Sequence, residues 1–297
     1  MEGDDRLAQR FEENRPHLRA VAYRMLGSTG EADDAVQEAW LRLSRADAGA
    51  IDNLGGWLTT VVARVSLDMM RKRTSLREQP LDADAREPAA GAADADDPEQ
   101  EALLADSVGL AMLVVLDTLG PAERLAFVLH DMFAVPFDDI ASILERSPEA
   151  TRQLASRGRR RVQGRPAVPE DELGRRRDVV DAYLAAARDG DFDALVAVLD
   201  PDVVLRADRS ILAPGQAREQ RGAATVARQA LARRAQFAEP ALIDGSPGLV
   251  LAPFGRLRLA LRFTVAHGRI AEIDVVGDPE RLQALDLAVL GDRPVSR

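Results

Sequence analysis

Residues 137–162 read FDDIASILERSPEATRQLASRGRRRV, and this stretch decides the architecture around it. Phe137–Glu145 has the apolar spacing of a short helix. Ser147 is a good helix cap, and Pro148 suits a first helical position, where its missing N–H is not needed. Two helices joined by so short a turn make a helix-turn-helix. In that motif the start of the second helix meets base edges in the major groove of DNA, which singles out Ser147, Glu149, Arg152 and Gln153. Arginine can pair with guanine, and glutamine with adenine. Arg157, Arg159, Arg160 and Arg161 then fall where phosphate contacts would supply salt-dependent affinity. A solvated basic helix end would explain the arginines alone. It would not explain the cap and the turn beside them.

Upstream, residues 6–77 read as helix with one break at Ala48–Gly56. The stretch 31–43, EADDAVQEAWLRL, places Ala32, Ala35, Val36, Ala39, Trp40 and Leu43 on one stripe. Asp34, Gln37, Glu38 and Leu41 lie off that stripe and form a candidate docking face for a basic partner. The plainer alternative is that Glu31, Asp33 and Asp34 only satisfy the helix N-terminal dipole. In WLTTVVARVSLDMMRKR, residues 57–73, Leu58, Val61, Val62, Val65 and Met69 share one side, with Arg64, Asp68 and Arg71 on another. Trp57, Arg64, Asp68, Arg71, Lys72 and Arg73 could serve single-stranded DNA through stacking and phosphate contact. An ordinary amphipathic helix with a basic end would read the same way.

The segment 78–100 is rich in Ala, Asp, Pro and Gly and has too little apolar surface to order itself. Residues 101–164 return to helix, and 165–174, with Pro166 and Pro169, read as a second linker. From Arg175 the pattern changes. Residues 175–199 read as helix stopped by Asp200-Pro201, 202–208 as a strand, and 222–236 as a helix. Leu257, Leu259, Leu261, Phe263 and Val265 alternate along a strand, His267-Gly268 signals a turn, and RIAEIDVV returns. Helices followed by an antiparallel meander indicate an α+β domain. The expected divisions are therefore 1–77, a linker at 78–100, 101–164, a linker at 165–174, and 175–297.

Composition narrows the function classes. The chain of 297 residues fits two or three modest domains. It has no cysteine, which excludes disulfides and thiolate metal sites, and its three histidines are scattered, so no metal or other cofactor is expected. No apolar run suggests a membrane span, and a cytoplasmic location without a membrane partner is expected. The net charge of −10 argues against a simple nucleic-acid coat. The charge is uneven, however: residues 146–165 hold seven arginines against Glu149 alone, while 77–106 hold ten acids against two arginines.

The three segments 31–43, 57–73 and 119–162 occur in an order that resembles sigma factors of the extracytoplasmic-function type. EADDAVQEAWLRL is similar to region 2.2, which implies that Asp34, Gln37, Glu38 and Leu41 dock on the β′ clamp helices of core RNA polymerase. WLTTVVARVSLDMMRKR is similar to regions 2.3 and 2.4, which melt and read the minus-ten element of promoter DNA. Arg64 stands where many members carry Asn. Residues 119–162, ending in the helix-turn-helix, are similar to region 4, which reads the minus-thirty-five element and meets the β flap. GRIAEIDVVGDPERLQAL, residues 268–285, resembles part of the SnoaL-like, nuclear-transport-factor-2-like fold. That resemblance implies a cone-shaped α+β domain regulating the sigma modules, with room in its pocket for a small ligand of unknown identity. The whole is then all-α over its N-terminal two-thirds and α+β beyond, with no catalysis of its own.

Two alternatives remain open on the residues. One is an enzyme or sensor in the C-terminal domain, with Asp202, Asp208, Asp244 and Asp274 as candidate carboxylates; an apolar pocket without a buried carboxylate would favour regulation instead. The other is a repressor binding operators alone, against which the two-module layout argues.

Overall fold

The computed structural model describes residues 2–46, 51–78, 109–213, 215–232, 238–253 and 257–290. Apart from Glu78, the acidic segment 78–100 lies outside them. The chain divides into two compact units, one of residues 1–109 with 116–159 and the other of residues 110–115 with 160–297.

The first unit is helical. Helix α1 (Glu2–Leu26) ends where Gly27 takes a left-handed φ of 73°, which lets Ser28 begin α2 (Thr29–Leu43) at once. The Ser28 hydroxyl accepts from Glu31 N at 3.4 Å. α2 buries Ala32, Ala35, Val36, Ala39 and Leu43, five of the six residues on the expected stripe, while Trp40 is half-buried and packs on Phe11 with ring centroids 5.0 Å apart. α3 (Leu54–Glu78) starts inside the expected break, at the Asn53 cap that accepts from Gly56 N at 3.0 Å. It buries Leu58, Val61, Val62 and Val65 of the expected side but leaves Met69 half-buried, and it also covers Ala63, Ser66, Leu67 and Met70. Its neighbours are α1, α2 and two helices from later in the same unit.

Those later helices are α5 (Pro121–Phe127), which follows α4 (Leu110–Asp117), and α6 (Phe137–Leu144). A π-helical turn, Val128–Met132, continues α5. α6 closes with Glu145 left-handed at φ 55°, and α7 (Pro148–Gln163) follows. Ser147 caps α7, its hydroxyl accepting from Ala150 N at 3.2 Å, as the sequence predicts. Gly158 lets α7 approach α5: a Cβ there would lie 3.0 Å from Phe127 Cβ and 3.3 Å from the Glu123 carbonyl.

The second unit is α+β, as expected. Helix α8 (Glu170–Asp189) begins inside the expected linker 165–174. The residues before it are tied down, with Ala167 N donating to Gly245 O at 2.8 Å. The helix expected over 175–199 is two helices. Gly190, at φ 74°, ends α8, and Asp191 caps α9 (Phe192–Val198) by accepting from Ala194 N at 2.9 Å. α9 ends at Val198, just ahead of Asp200-Pro201, close to where the sequence places the stop. Asp200 and Pro201 lie within β1 (Leu199–Ala207), where the irregular register at Leu199–Val204 accommodates the proline. Helix α10 (Ala223–Ala232) covers the described part of the helix expected over 222–236.

The remaining strands are β2 (Glu219–Arg221), β3 (Ala238–Ile243), β4 (Ser246–Leu251), β5 (Leu259–Ala266), β6 (Arg269–Val276) and β7 (Leu287–Val289). The short helix α11 (Pro279–Ala284) precedes β7. The order is β2-β1-β6-β5-β4-β3-β7, antiparallel except for β1 with β6. His267-Gly268 makes the expected tight hairpin, with both φ values positive, at 52° and 74°. Asp244-Gly245 makes a second, at 49° and 76°. This D-G pair between apolar runs is itself a hairpin signal, and it locates β3 and β4, which the periodicity reading did not place.

Candidate nucleic-acid and polymerase interface

On α2, Asp34, Gln37 and Leu41 are exposed and Glu38 is half-exposed. Their spacing of three, four and seven residues puts them on one stripe opposite the buried one. Leu41 is 40% exposed, unusual for a leucine in the described chain. Glu38 accepts from Arg42 Nε at 2.9 Å. Asp33 is turned aside, paired with Arg19 at 2.8 Å.

On α3, Arg64, Asp68, Arg71 and Lys72 are exposed and Trp57 is half-buried. Arg64 donates to the Ser142 carbonyl of α6 at 3.3 Å. Arg73 faces inward, donating to Leu26 O at 3.2 Å and lying 3.4 Å from Glu31. Arg124 supports the same helix end. It is only 2% exposed, donates from Nε to Arg24 O at 3.0 Å, and pairs with Asp117 at 3.2 Å. The two arginines thus satisfy carbonyls at the C-terminus of α1, where the helix dipole favours cations. Burial pulls the Arg124 guanidinium down to about 10, against the opposing attraction of Asp117. Phe133 joins the same group, edge-on to His17 at 5.3 Å and under the Arg24 guanidinium at 5.1 Å.

On α7, Ser147, Glu149, Arg152, Gln153, Arg157 and Arg160 are all exposed, while Thr151, Leu154, Ala155 and Gly158 are buried. Arg152 lies over the Phe137 ring at 5.6 Å, which orients it at the start of the helix. Arg157 pairs with Glu123 at 3.0 Å, and Arg159 with Asp131 at 2.5 Å. Part of the basic cluster is therefore neutralised within the fold. Arg124 and its partners were not singled out from the sequence, where nothing marks one arginine of many as buried.

Three of the four candidate carboxylates of the second unit are joined through arginines, Asp208 and Asp274 by Arg281 and Asp244 and Asp274 by Arg262, and Asp244 and Asp274 line one polar recess. Asp208 is buried but accepts from Gly277 N and Asp278 N at 3.0 Å each and pairs with Arg281. Burial would raise its pKa; the two backbone N–H groups and Arg281 together outweigh that and hold it below the usual range. Asp274 pairs with Arg281 at 2.8 Å, Asp244 is a hairpin residue 3.3 Å from Arg262, and Asp202 is exposed. The unit also holds a cavity between α8, α10 and the sheet, lined by none of these four residues. Among the described residues, no group of His, Asp and Glu is placed to hold a metal, and no helix is long and apolar enough to cross a membrane.

Comparison with known proteins places this geometry. Residues 10–76 match the family model for Sigma-70 region 2, and residues 110–162 that for Sigma-70, region 4. The chain is 36% identical to the ECF RNA polymerase sigma factor SigJ of Mycobacterium tuberculosis, over 97% of this chain and 96% of that protein. The chain belongs to the ECF RNA polymerase sigma factors. The probable ECF RNA polymerase sigma factor SigI of the same organism is 33% identical over 96% of this chain and 98% of its own length. A solved crystal structure of SigJ covers 92% of this chain at 34% identity, with a TM-score of 0.44. This sigma factor is accordingly a promoter-specific transcription-initiation protein that works with RNA polymerase and promoter DNA. Its family is defined by DNA reading and polymerase binding rather than by catalysis.

Proposed function

We propose that the sigma factor reads promoters through two helices and docks on polymerase through a third. The exposed stripe Asp34, Gln37, Glu38 and Leu41 of α2 meets the β′ clamp helices, its carboxylates facing basic groups and Leu41 giving apolar contact. Trp57, Arg64, Asp68, Arg71 and Lys72 of α3 meet the minus-ten element. Arg73 acts behind them, holding α3 to the end of α1. Glu149, Arg152 and Gln153 read the minus-thirty-five element in the major groove, capped by Ser147, while Arg157 and Arg160 meet phosphates. The first helix-turn-helix segment lies near the β flap.

The observation that carries this reading is the Ser147-capped α7, with Glu149, Arg152 and Gln153 exposed on its first turns and its opposite side buried. In the free protein, Arg64 is engaged by the Ser142 carbonyl within α6. The DNA-reading helices therefore separate before both reach a promoter. The C-terminal α+β domain regulates that step.

The test is run-off transcription with core polymerase on a promoter library, comparing the full chain with a truncation after Gln163. Arg152→Ala should change which minus-thirty-five sequences are used, and truncation should change output from the preferred promoter. Unaltered sequence preference refutes the helix assignment, and unaltered output refutes regulation by the domain.

A further inference from the structure

The cavity of the second unit has a volume of about 340 Å³. That is roughly eleven times the share of one water in the liquid. The space is partly open to solvent, and an apolar recess of this size with a few polar groups is the usual form of a small-molecule site. Among the described residues its wall is hydrocarbon, chiefly leucine and alanine, apart from two polar side chains, Tyr183 of α8 and Gln229 of α10. The leucines come from both sides, with Leu184 on α8 and Leu205, Leu249, Leu259 and Leu261 on three strands. This explains why Leu259 and Leu261, on the apolar face read from the alternation of β5, are only partly buried: that face borders open volume.

The two polar groups are the informative part. Tyr183 is 4% exposed, and burial pushes its phenol up to about 12, so it is neutral and can donate. Its ring is held edge-on by Phe263 at 5.3 Å. The Gln229 Oε1 is buried with no hydrogen-bond partner among the described residues. The last torsion of a glutamine is soft, so its carboxamide can turn its oxygen toward the cavity at little cost. A buried acceptor without a donor is unfavourable, and natural structures rarely keep one without reason. Among the described residues no charged side chain lines the wall, so a carboxylate or ammonium bound against them would be desolvated without a counter-charge.

We propose that this cavity is the binding site for a neutral, largely hydrocarbon molecule bearing one hydroxyl group, which donates to Gln229 Oε1 and accepts from the Tyr183 hydroxyl. A hydroxyl is the simplest neutral group that can both donate to a carboxamide oxygen and accept from a phenol, while the leucines cover the remainder of the molecule. The inference rests on the geometry of the second unit and not on the assignment of the DNA-reading residues, and it is tested by binding rather than by transcription.

The test uses the full-length protein with 2-naphthol, naphthalene and 2-naphthoate as probes, followed by calorimetric titration and by thermal unfolding. 2-Naphthol should bind at one per chain and raise the unfolding temperature. Naphthalene should bind roughly five-fold more weakly, for want of the hydrogen bonds. 2-Naphthoate should show no binding at the same concentrations. Gln229→Leu and Tyr183→Phe preserve shape, and each should bring 2-naphthol toward the affinity of naphthalene while leaving naphthalene unchanged. Ala230→Phe, which fills the cavity, should abolish binding of both, with unchanged circular dichroism showing that it folds. The proposal is overturned if 2-naphthol does not bind, if 2-naphthoate binds as tightly, or if 2-naphthol is indifferent to both conservative variants.

Discussion

Arg124 offers a test of how the first unit is held together. It is 2% exposed, and its guanidinium reaches the Arg24 carbonyl and Asp117. The Asp117 side chain is 48% exposed, so that pair contributes less than about 1 kcal/mol. The hydrogen bond to Arg24 O is charge-assisted and contributes roughly 2 kcal/mol. Against the hydrogen bond to Arg24 O stands the net of burial, the attraction of Asp117 and the nearby Arg73 and Glu31, which lowers the group from 12.5 to about 10, on the order of 3 kcal/mol opposing the charged form. The charge is thus close to neutral in the balance, and the packed stem supplies most of the stabilisation. Arg124→Met, which keeps the stem and removes the charge, should leave stability within about 1 kcal/mol of wild type. Arg124→Ala also opens a cavity and should cost roughly 2–4 kcal/mol more than Met. For a unit of this size that separates the two variants by on the order of 10 °C. Differential scanning calorimetry of the full chain would resolve it. If Met destabilises as much as Ala, the charge itself holds the α1 terminus and the reasoning is refuted.

Other outcomes follow from the same structure. Burial, then the nearby Arg24, lowers the His17 pKa below its usual value; the first unit should therefore lose stability as pH falls below about 6.5, and His17→Gln should remove that dependence in thermal melts. Tyr183 is raised to about 12, so its contribution is complete below about pH 10 and is lost between pH 10 and 12; Tyr183→Phe should flatten this loss of roughly 3 kcal/mol in alkaline unfolding curves. Replacing Asp34 and Glu38 together by Arg should abolish capture of core polymerase without changing helical content, and undiminished capture would show that the α2 stripe is not the docking face. Arg152→Ala should cost roughly 1–3 kcal/mol on the preferred minus-thirty-five sequence and relax base preference, whereas Arg160→Ala should weaken all sequences alike and lower the salt slope of promoter binding.

Local patterns in the sequence determined the helices of the first unit, the Ser147 cap, the α2 stripes and the β5–β6 hairpin. Each depends on residues within a few positions of one another, so side-chain spacing and backbone preference suffice. The same local logic also held the D-G signal for β3–β4, and a glycine that splits α8 from α9 where continuous helix was expected. Burial of Arg124 and Arg73 at the end of α1, and the pairing of Arg157 and Arg159 with Glu123 and Asp131, depended instead on contacts between distant segments. Composition shows many arginines and cannot say which of them a carbonyl or carboxylate will claim. The cavity is of the same kind. Tyr183 and Gln229 are unremarked in the sequence, the leucines of β5 are marked there only as an apolar face, and only the folding of α8 and α10 over the sheet brings them around one space. A strand's alternation marks its apolar face, but whether that face meets side chains or an opening depends on the elements that cover it.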